Sequence, residues 1–142
     1  MTLADANLAG NVHGGVIMRE VDSAAGTCAI RHADTTSIVT VAIDELSFHE
    51  PVHVGEILIV SASINFVGRT SMEVGVHVEA EPLGGGKRRH TTSAFLVMVA
   101  LDCEQLPDIV LETDEHRRKH DKARIRKQAR SQRREAFKAA GH

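Results

Sequence analysis

Apolar residues recur every three or four positions between Gly14 and about His32, the spacing typical of an amphipathic helix. The apolar stripe consists of Ile17, Met18, Val21, Ala24, Ala25, Cys28 and Ala29. Successive helical residues turn by about 100°, so Asp22 falls at the border of this stripe. We therefore expect the Asp22 carboxyl group half in the core.

After this helix the hydrophobic period changes to two, which is the pattern of β-strands. Four strands are predicted, over Ile38–Leu46, Glu56–Val67, Ser71–Ala80 and Thr92–Leu101. The last is almost continuously apolar, as is typical of a strand buried on both faces. The pattern predicts an α+β fold in which a curved, mostly antiparallel sheet wraps around one long central helix. A second subunit is expected to cover the outer face of the sheet.

The charges divide the 142-residue chain into two parts, although its net charge is only −2. Residues 1–111 carry 6 basic and 14 acidic side chains, and residues 112–142 carry 11 basic and 5 acidic ones. We predict a domain over 1–111 and a basic tail over 112–142, helical or disordered, whose large apolar groups are Ile125 and Phe137. The tail could be solvated, dock on a neighbouring subunit or contact phosphates. Binding to anionic lipid or nucleic acid is the least favoured interpretation.

Several classes of protein are disfavoured by what the sequence lacks. There is no apolar run long enough for a membrane span and no signal-peptide pattern, so we expect a cytoplasmic protein. Cys28 and Cys103 have no CxxC spacing and are expected to be free thiols. His49 and His53 are separated by Pro51, which excludes a helix that would align them on a metal. We expect neither a metal nor a cofactor.

The start of the predicted helix combines residues that could act on a carbonyl group. Gly14 and Gly15 allow close approach to backbone N–H groups, which stabilise developing negative charge at a helix N-terminus. Asp22, about two turns further on, could activate a water molecule. From the pattern alone, an exposed helical Asp22 and an Asn11 that caps the helix are the simpler interpretations.

Four segments of the chain carry a resemblance to a known family. They are residues 7–15, the helix through Asp22, residues 48–56 and residues 67–74. Together with the last strand they cover roughly residues 4 to 110 in the right order. In these segments the chain resembles the acyl-CoA thioesterases of the hotdog fold, in the branch of the bacterial broad-range and mammalian cytosolic acyl-CoA hydrolases.

The resemblance implies hydrolysis of fatty acyl-CoA to free fatty acid and coenzyme A, without a cofactor. It also implies a homodimer with two shared active sites, often assembled as a trimer of dimers. Asp22 would act as general base or nucleophile, Asn11 would come from the other chain, and Gly14 and Gly15 would polarise the thioester carbonyl. Residues of the substrate channel and of the coenzyme A site would be His13, Gly68, Arg69, Thr70 and Ser71.

Coenzyme A carries several phosphates, and the acidic part of the chain offers few cations to hold them. Arg69 and the cluster Lys87, Arg88 and Arg89 are therefore expected to contact phosphate; the alternative for the cluster is a solvated hairpin. The family has a full strand before the first glycine-rich segment, whereas here only Met1 to Ala6 precede Asn7. Two explanations are open: the first strand is missing, or the given start lies inside the gene. An incomplete first strand would leave one sheet edge poorly paired and weaken the dimer.

Two other functions remain open at this point. A non-catalytic hotdog protein could bind acyl-CoA as a regulator, with its basic tail as a second contact. A dehydratase on the same fold would need a histidine and a glutamate in an arrangement that we do not find in the sequence. The presence of both Asn11 and Asp22 favours the hydrolase.

Overall fold

A computed structural model describes residues 1–141. After a 3-10 turn over Leu3–Asp5, its elements are α1 (Gly14–Ala33), β1 (Ile38–Phe48), β2 (Ile57–Val67), β3 (Ser71–Glu81), β4 (Arg89–Ala100) and α2 (Asp114–Ala139). The strands form one antiparallel sheet in the order β1-β4-β3-β2. The first helix and the four strands predicted from periodicity are confirmed, with ends shifted by a few residues.

The core lies between α1 and one face of the sheet. The buried side of α1 consists of Ile17, Val21, Ala25 and Ala29. It packs on alternate residues of β3 and β4, chiefly Met72, Val74, Val76, Val78, Leu96 and Met98. Because side chains alternate across a strand, the residues between them face away from α1.

The helices differ from the expected arrangement. The sequence predicted one long central helix, but there are two helices within residues 1–141, and the longer one is C-terminal. The helix α1 has 20 residues and contacts all four strands, whereas α2 has 26 residues and lies beyond the last strand in the chain. The helical form of the predicted tail is the one observed, and the longest helix is therefore C-terminal. Its packing was not predicted because the mostly polar sequence of residues 114–139 lacks the broad apolar stripe that marks a packed helix.

The outer face of the sheet is covered in part by α2 of the same chain. Arg126 donates to both carboxylate oxygens of Glu73 on β3, at 2.7 and 2.8 Å, and its guanidinium lies 3.7 Å from the centre of the Phe95 ring. Arg130 donates to Asp44 of β1 at 3.0 Å. The second subunit expected on this face is thus replaced, over the area of α2, by ion pairs within the chain.

The edges of the sheet are β1 and β2. Before α1, residues 1–13 form the 3-10 turn and two isolated bridges, Ala6 with Val12 and Asn11 with His53. The outer edges of β1 and β2 have no partner strand within residues 1–141.

Candidate active site

The N-terminus of α1 opens onto a cavity of about 320 Å³. Residues that line it include Asn7, Asn11, Val12, Gly14, Ile17, Phe48 and His49. At Gly14 an added β-carbon would lie 3.5 Å from Cζ of Phe48, so glycine leaves the space between this ring and the helix open. Two predicted site residues, Asn11 and Gly14, are therefore brought together.

His13 caps α1. Its Nδ1 accepts a hydrogen bond from the Gly15 N–H at 3.2 Å, and its carbonyl oxygen accepts from the Val16 N–H at 2.9 Å. The alternative that Asn11 is the N-cap is therefore wrong. Of the two N–H groups expected to face the thioester, that of Gly15 therefore already donates to the His13 side chain.

Asn11 and Asn7 are joined in the loop before the helix. The Asn11 side-chain oxygen lies 3.1 Å from Nδ1 of His53. The Asn7 side-chain oxygen accepts from the N–H groups of Ala9 and Asn11, at 2.9 and 3.1 Å. Asn7 was not singled out from the sequence, although a short amide side chain that bonds its own backbone two residues on is a common turn signal.

Asp22 is held by a residue of another element. The Thr40 hydroxyl of β1 donates to Asp22 Oδ1 at 2.7 Å and lies 3.3 Å from Sδ of Met98. The Asp22 side chain is exposed, so its predicted position half in the core is wrong. Thr40 was missed; the available signal was a polar residue within an otherwise apolar stretch of β1.

Asp22 and Gly14 both lie on the side of α1 that contacts β1, but at opposite ends of that contact. In the strand register, Thr40 pairs with Met98, whereas Phe48 pairs with Thr92 six residues away on β4. Asp22 contacts Thr40 and Gly14 lies against Phe48, so the two residues lie at opposite ends of the contact between α1 and β1. One chain alone does not bring the carboxylate to the cavity at the helix N-terminus.

The turn from Gly68 to Ser71 lies at the Asp22 end of the sheet. Ser71 pairs with Val99 on β4, next to the partner of Thr40. The Gly68 N–H donates to the Ser71 carbonyl at 2.7 Å, and the Thr70 carbonyl accepts from Ala100 at 2.9 Å. Arg69 is exposed, and its Nη1 donates to the carbonyl oxygen of Glu104 at 3.0 Å.

The basic cluster at the start of β4 is not free to bind phosphate as a unit. Arg89 donates from Nη1 and Nη2 to the two carboxylate oxygens of Glu56, at 2.7 and 2.9 Å, and from Nε to Glu50 at 3.0 Å. These hydrogen bonds lower the pKa of Glu56 to about 2. Arg88 lies 3.6 Å from Glu81. The expectation that Arg89 contacts phosphate is corrected, because Arg89 instead fixes the loop before β2 through Glu56. Within residues 1–141, exposed Lys87 is the unpaired cation of the cluster.

Residues 1–141 contain neither a cluster of metal ligands nor a membrane-spanning helix. No group of three or more histidine, cysteine or carboxylate side chains is arranged to hold a metal ion. No helix in this range combines the length and the apolar character needed to cross a bilayer.

Comparison with known proteins identifies the family. A thioesterase superfamily model matches residues 9–87, more than half of the chain. The chain belongs to the thioesterase superfamily. This thioesterase-family chain has the hotdog fold of the superfamily, and the C-terminal helix α2 follows its last strand.

Relatives of this thioesterase-family chain include the cytosolic acyl coenzyme A thioester hydrolase of Rattus norvegicus, with 35% identity over 87% of this chain. The chain spans about a third of that relative's length, 34%. An apo-hexameric acyl-CoA thioesterase superposes with a TM-score of 0.88 at 34% identity, covering 94% of this chain and 87% of that one. The acyl-CoA hydrolase of Staphylococcus aureus, in complex with butyryl coenzyme A and coenzyme A, gives 0.88 at 28% identity, covering 99% and 87%.

Proposed function

We propose that this protein is an acyl-CoA thioesterase, which hydrolyses fatty acyl-CoA to free fatty acid and coenzyme A. The observation that carries the proposal is an exposed carboxylate, Asp22, which Thr40 orients on the same helix whose glycine-containing N-terminus opens onto a cavity. A carboxylate base and a set of N–H donors are what thioester hydrolysis requires. The names of the relatives support the same substrate class.

In the proposed reaction, Asp22 takes a proton from a water molecule whose oxygen attacks the thioester carbonyl carbon. The N–H groups of Gly14 and Gly15 stabilise the oxyanion that forms, with the positive end of the α1 dipole behind them. The tetrahedral intermediate then breaks its C–S bond, and the proton on Asp22 passes to the coenzyme A sulfur. The products are the fatty acid and the thiol.

A homodimer with two shared sites would bring the separated groups together. Because β1 is an edge strand, two copies of it can pair antiparallel about a two-fold axis. This pairing lays the Thr40 end of one strand beside the Phe48 end of the other, and so brings Asp22 of one chain to Gly14 of its partner. Exposed apolar side chains of this region, Met18, Val41 and Ile43, would be covered at the same time.

The second polar group of the site comes from the loop that holds Asn11 and Asn7. Alanine variants of an asparagine, an aspartate and a threonine exist for the S. aureus enzyme. There the asparagine precedes the aspartate by fifteen residues, which is the spacing between Asn7 and Asp22 here. We therefore propose Asn7 as a candidate beside Asn11, because both line the cavity at the helix N-terminus.

Coenzyme A would lie along the rim formed by the Gly68–Ser71 turn, with Arg69 as a phosphate contact. Lys87 and His13 lie toward the opposite end of the sheet, so in the proposed dimer they would reach the same ligand from the other chain, Lys87 as a second phosphate contact and His13 as a wall of the channel. Arg69 and Lys87 are exposed cations, as contact with a solvated phosphate requires. By analogy with the hexameric relative, the dimers would assemble as a trimer. A cytoplasmic location is proposed from the rat relative's name.

The activity is tested by release of free thiol from acetyl-, hexanoyl- and palmitoyl-CoA. We expect turnover of at least one of these substrates, and the relative rates give the chain-length preference. Tight binding of acyl-CoA without release of thiol would contradict the enzyme and support a binding protein.

Mixing two inactive variants tests the shared site. Asp22→Asn and Asn11→Ala are each expected to be inactive as homodimers, but a hybrid dimer retains one site with all groups intact. After subunit exchange, the mixture should recover about a quarter of wild-type activity per chain. Asn7→Ala is tested in the same way, so the variant that complements Asp22→Asn identifies the asparagine. If neither mixture recovers activity, the groups do not come from different chains.

A further inference from the structure

A second cavity lies on the outer face of the sheet, between α2 and strands β2, β3 and β4. Its volume is about 460 Å³, within the range of cavities that bind small molecules. The residues that line it include Ser61, Ser63 and Asn65 of β2, Gly75 and His77 of β3, Phe95 of β4, and Lys119, Lys122 and Arg126 of α2. We call it the outer groove. The sheet separates it from α1 and Asp22.

One end of the outer groove is closed by a buried polar network. Arg126 binds Glu73, and Asn65 Nδ2 donates to the same carboxylate at 3.3 Å. The Asn65 amide lies across Gly75, where an added β-carbon would be only 2.6 Å from Nδ2. Because Gly75 has no β-carbon, the Asn65 amide can lie flat on the sheet at this end of the outer groove.

The other end is lined by His77 of β3 and Ser93 of β4. The His77 ring stacks on His90 with ring centres 4.1 Å apart. This end of the outer groove therefore offers one imidazole ring and one hydroxyl group.

The wall that α2 contributes is cationic. Lys119 and Lys122 are three residues apart and therefore lie on neighbouring positions of one helix face. Lys119 pairs with Glu115 at 3.3 Å, whereas Lys122 forms no ion pair within residues 1–141. Arg126, like Lys119, is bound to a carboxylate, that of Glu73 on β3. Among the cations that line the outer groove, Lys122 is thus the one without a carboxylate partner within residues 1–141.

We propose that the outer groove binds a small organic phosphate, separately from the thioester site. The phosphate would lie against Lys122 and the hydroxyl groups of Ser61 and Ser63, which face the groove from the sheet. Its organic body would rest against Phe95, which lines the outer groove. A phosphate fits better than a carboxylate because it offers three terminal oxygens to this number of donors.

The proposal is tested by calorimetric titration of the full chain with phenyl phosphate. We expect saturable binding, which Lys122→Glu weakens at least about tenfold because a charge-assisted contact is replaced by a repulsive one. Lys138→Glu makes the same change of charge at the far end of α2 and should leave the affinity unchanged. Ser63→Leu, which removes one donor without altering charge, should also weaken binding. Absence of binding to the wild type, or equal weakening by both charge reversals, would overturn the proposal.

The nucleotide end of coenzyme A is a second source of the same chemistry, and kinetics separates the two. If the groove is a separate site, the KM for acyl-CoA is the same in Lys122→Glu and in the wild type. If instead the KM for acyl-CoA in Lys122→Glu rises by the same factor by which the affinity for phenyl phosphate falls, the groove binds part of the substrate. That result would overturn the proposal of a separate ligand. This result is independent of whether Asp22 is the catalytic base.

Discussion

Replacing Asp22 by asparagine is expected to lower the rate of acyl-CoA hydrolysis by about 10³-fold, within the range that general bases contribute. Asparagine has nearly the same shape and still accepts the hydrogen bond from Thr40 that orients the side chain. It does not accept a proton from water at neutral pH, so the loss falls on the chemical step. The measurement is thiol release at saturating acyl-CoA, with the oligomeric state of the variant checked by its mass.

Glu20→Gln is the matched control for this substitution. Glu20 lies on α1 and pairs with Arg19, but it faces the β2 side of the helix rather than β1. The same loss of one carboxylate should leave the rate within about twofold of the wild type, as expected for an exposed pair of little energetic weight. Near-normal turnover by a folded Asp22→Asn variant would remove Asp22 from the mechanism.

Replacing Glu73 by alanine is expected to destabilise the fold by about 3–5 kcal/mol, the usual cost of removing one partner of a buried ion pair. Glu73 is 2% exposed, and its carboxylate accepts from both Arg126 and Asn65. Without it, the half-buried Arg126 guanidinium keeps only its contact with the Phe95 ring. Denaturant unfolding at a fixed chain concentration measures the loss.

Two controls separate this effect from a general loss of charge. Glu115→Ala removes the exposed partner of Lys119 and should cost less than about 1 kcal/mol. The double variant Glu73→Met with Arg126→Met removes both charges and should recover most of the stability, since an apolar pair often replaces a buried ion pair without loss. A Glu73→Ala variant as stable as Glu115→Ala would show that the ion pair does not hold α2 on the sheet.

Hydrophobic periodicity located α1 and the four strands, because each of them buries one regular set of side chains. It did not locate the packed position of α2, which is held mainly by ion pairs. The residues that receive this helix, Glu73 and Asp44, lie on β3 and β1, where alternation only marks them as facing away from the core. Charge counts indicated opposite signs in the two parts of the chain, but not which side chains pair.

The site was predicted unevenly for a similar reason. Asp22 and the helix start lie close together in the sequence and carry the family resemblance, whereas Thr40 reaches Asp22 only through the register of β1. Arg89 was misassigned because it stands in a local run of cations. Its partners Glu56 and Glu50 are 33 and 39 residues away, so only the folded structure reveals that its charge is already neutralised.

The imidazole of His13 already occupies one hydrogen-bond donor of the proposed site. Its Nδ1 holds the Gly15 N–H at 3.2 Å, where a thioester oxygen would have to bind. In the proposed mechanism, a substrate oxygen at this donor would have to replace the His13 nitrogen as acceptor. That replacement would become more favourable as negative charge grows on the oxygen, so it would favour the transition state over the bound substrate.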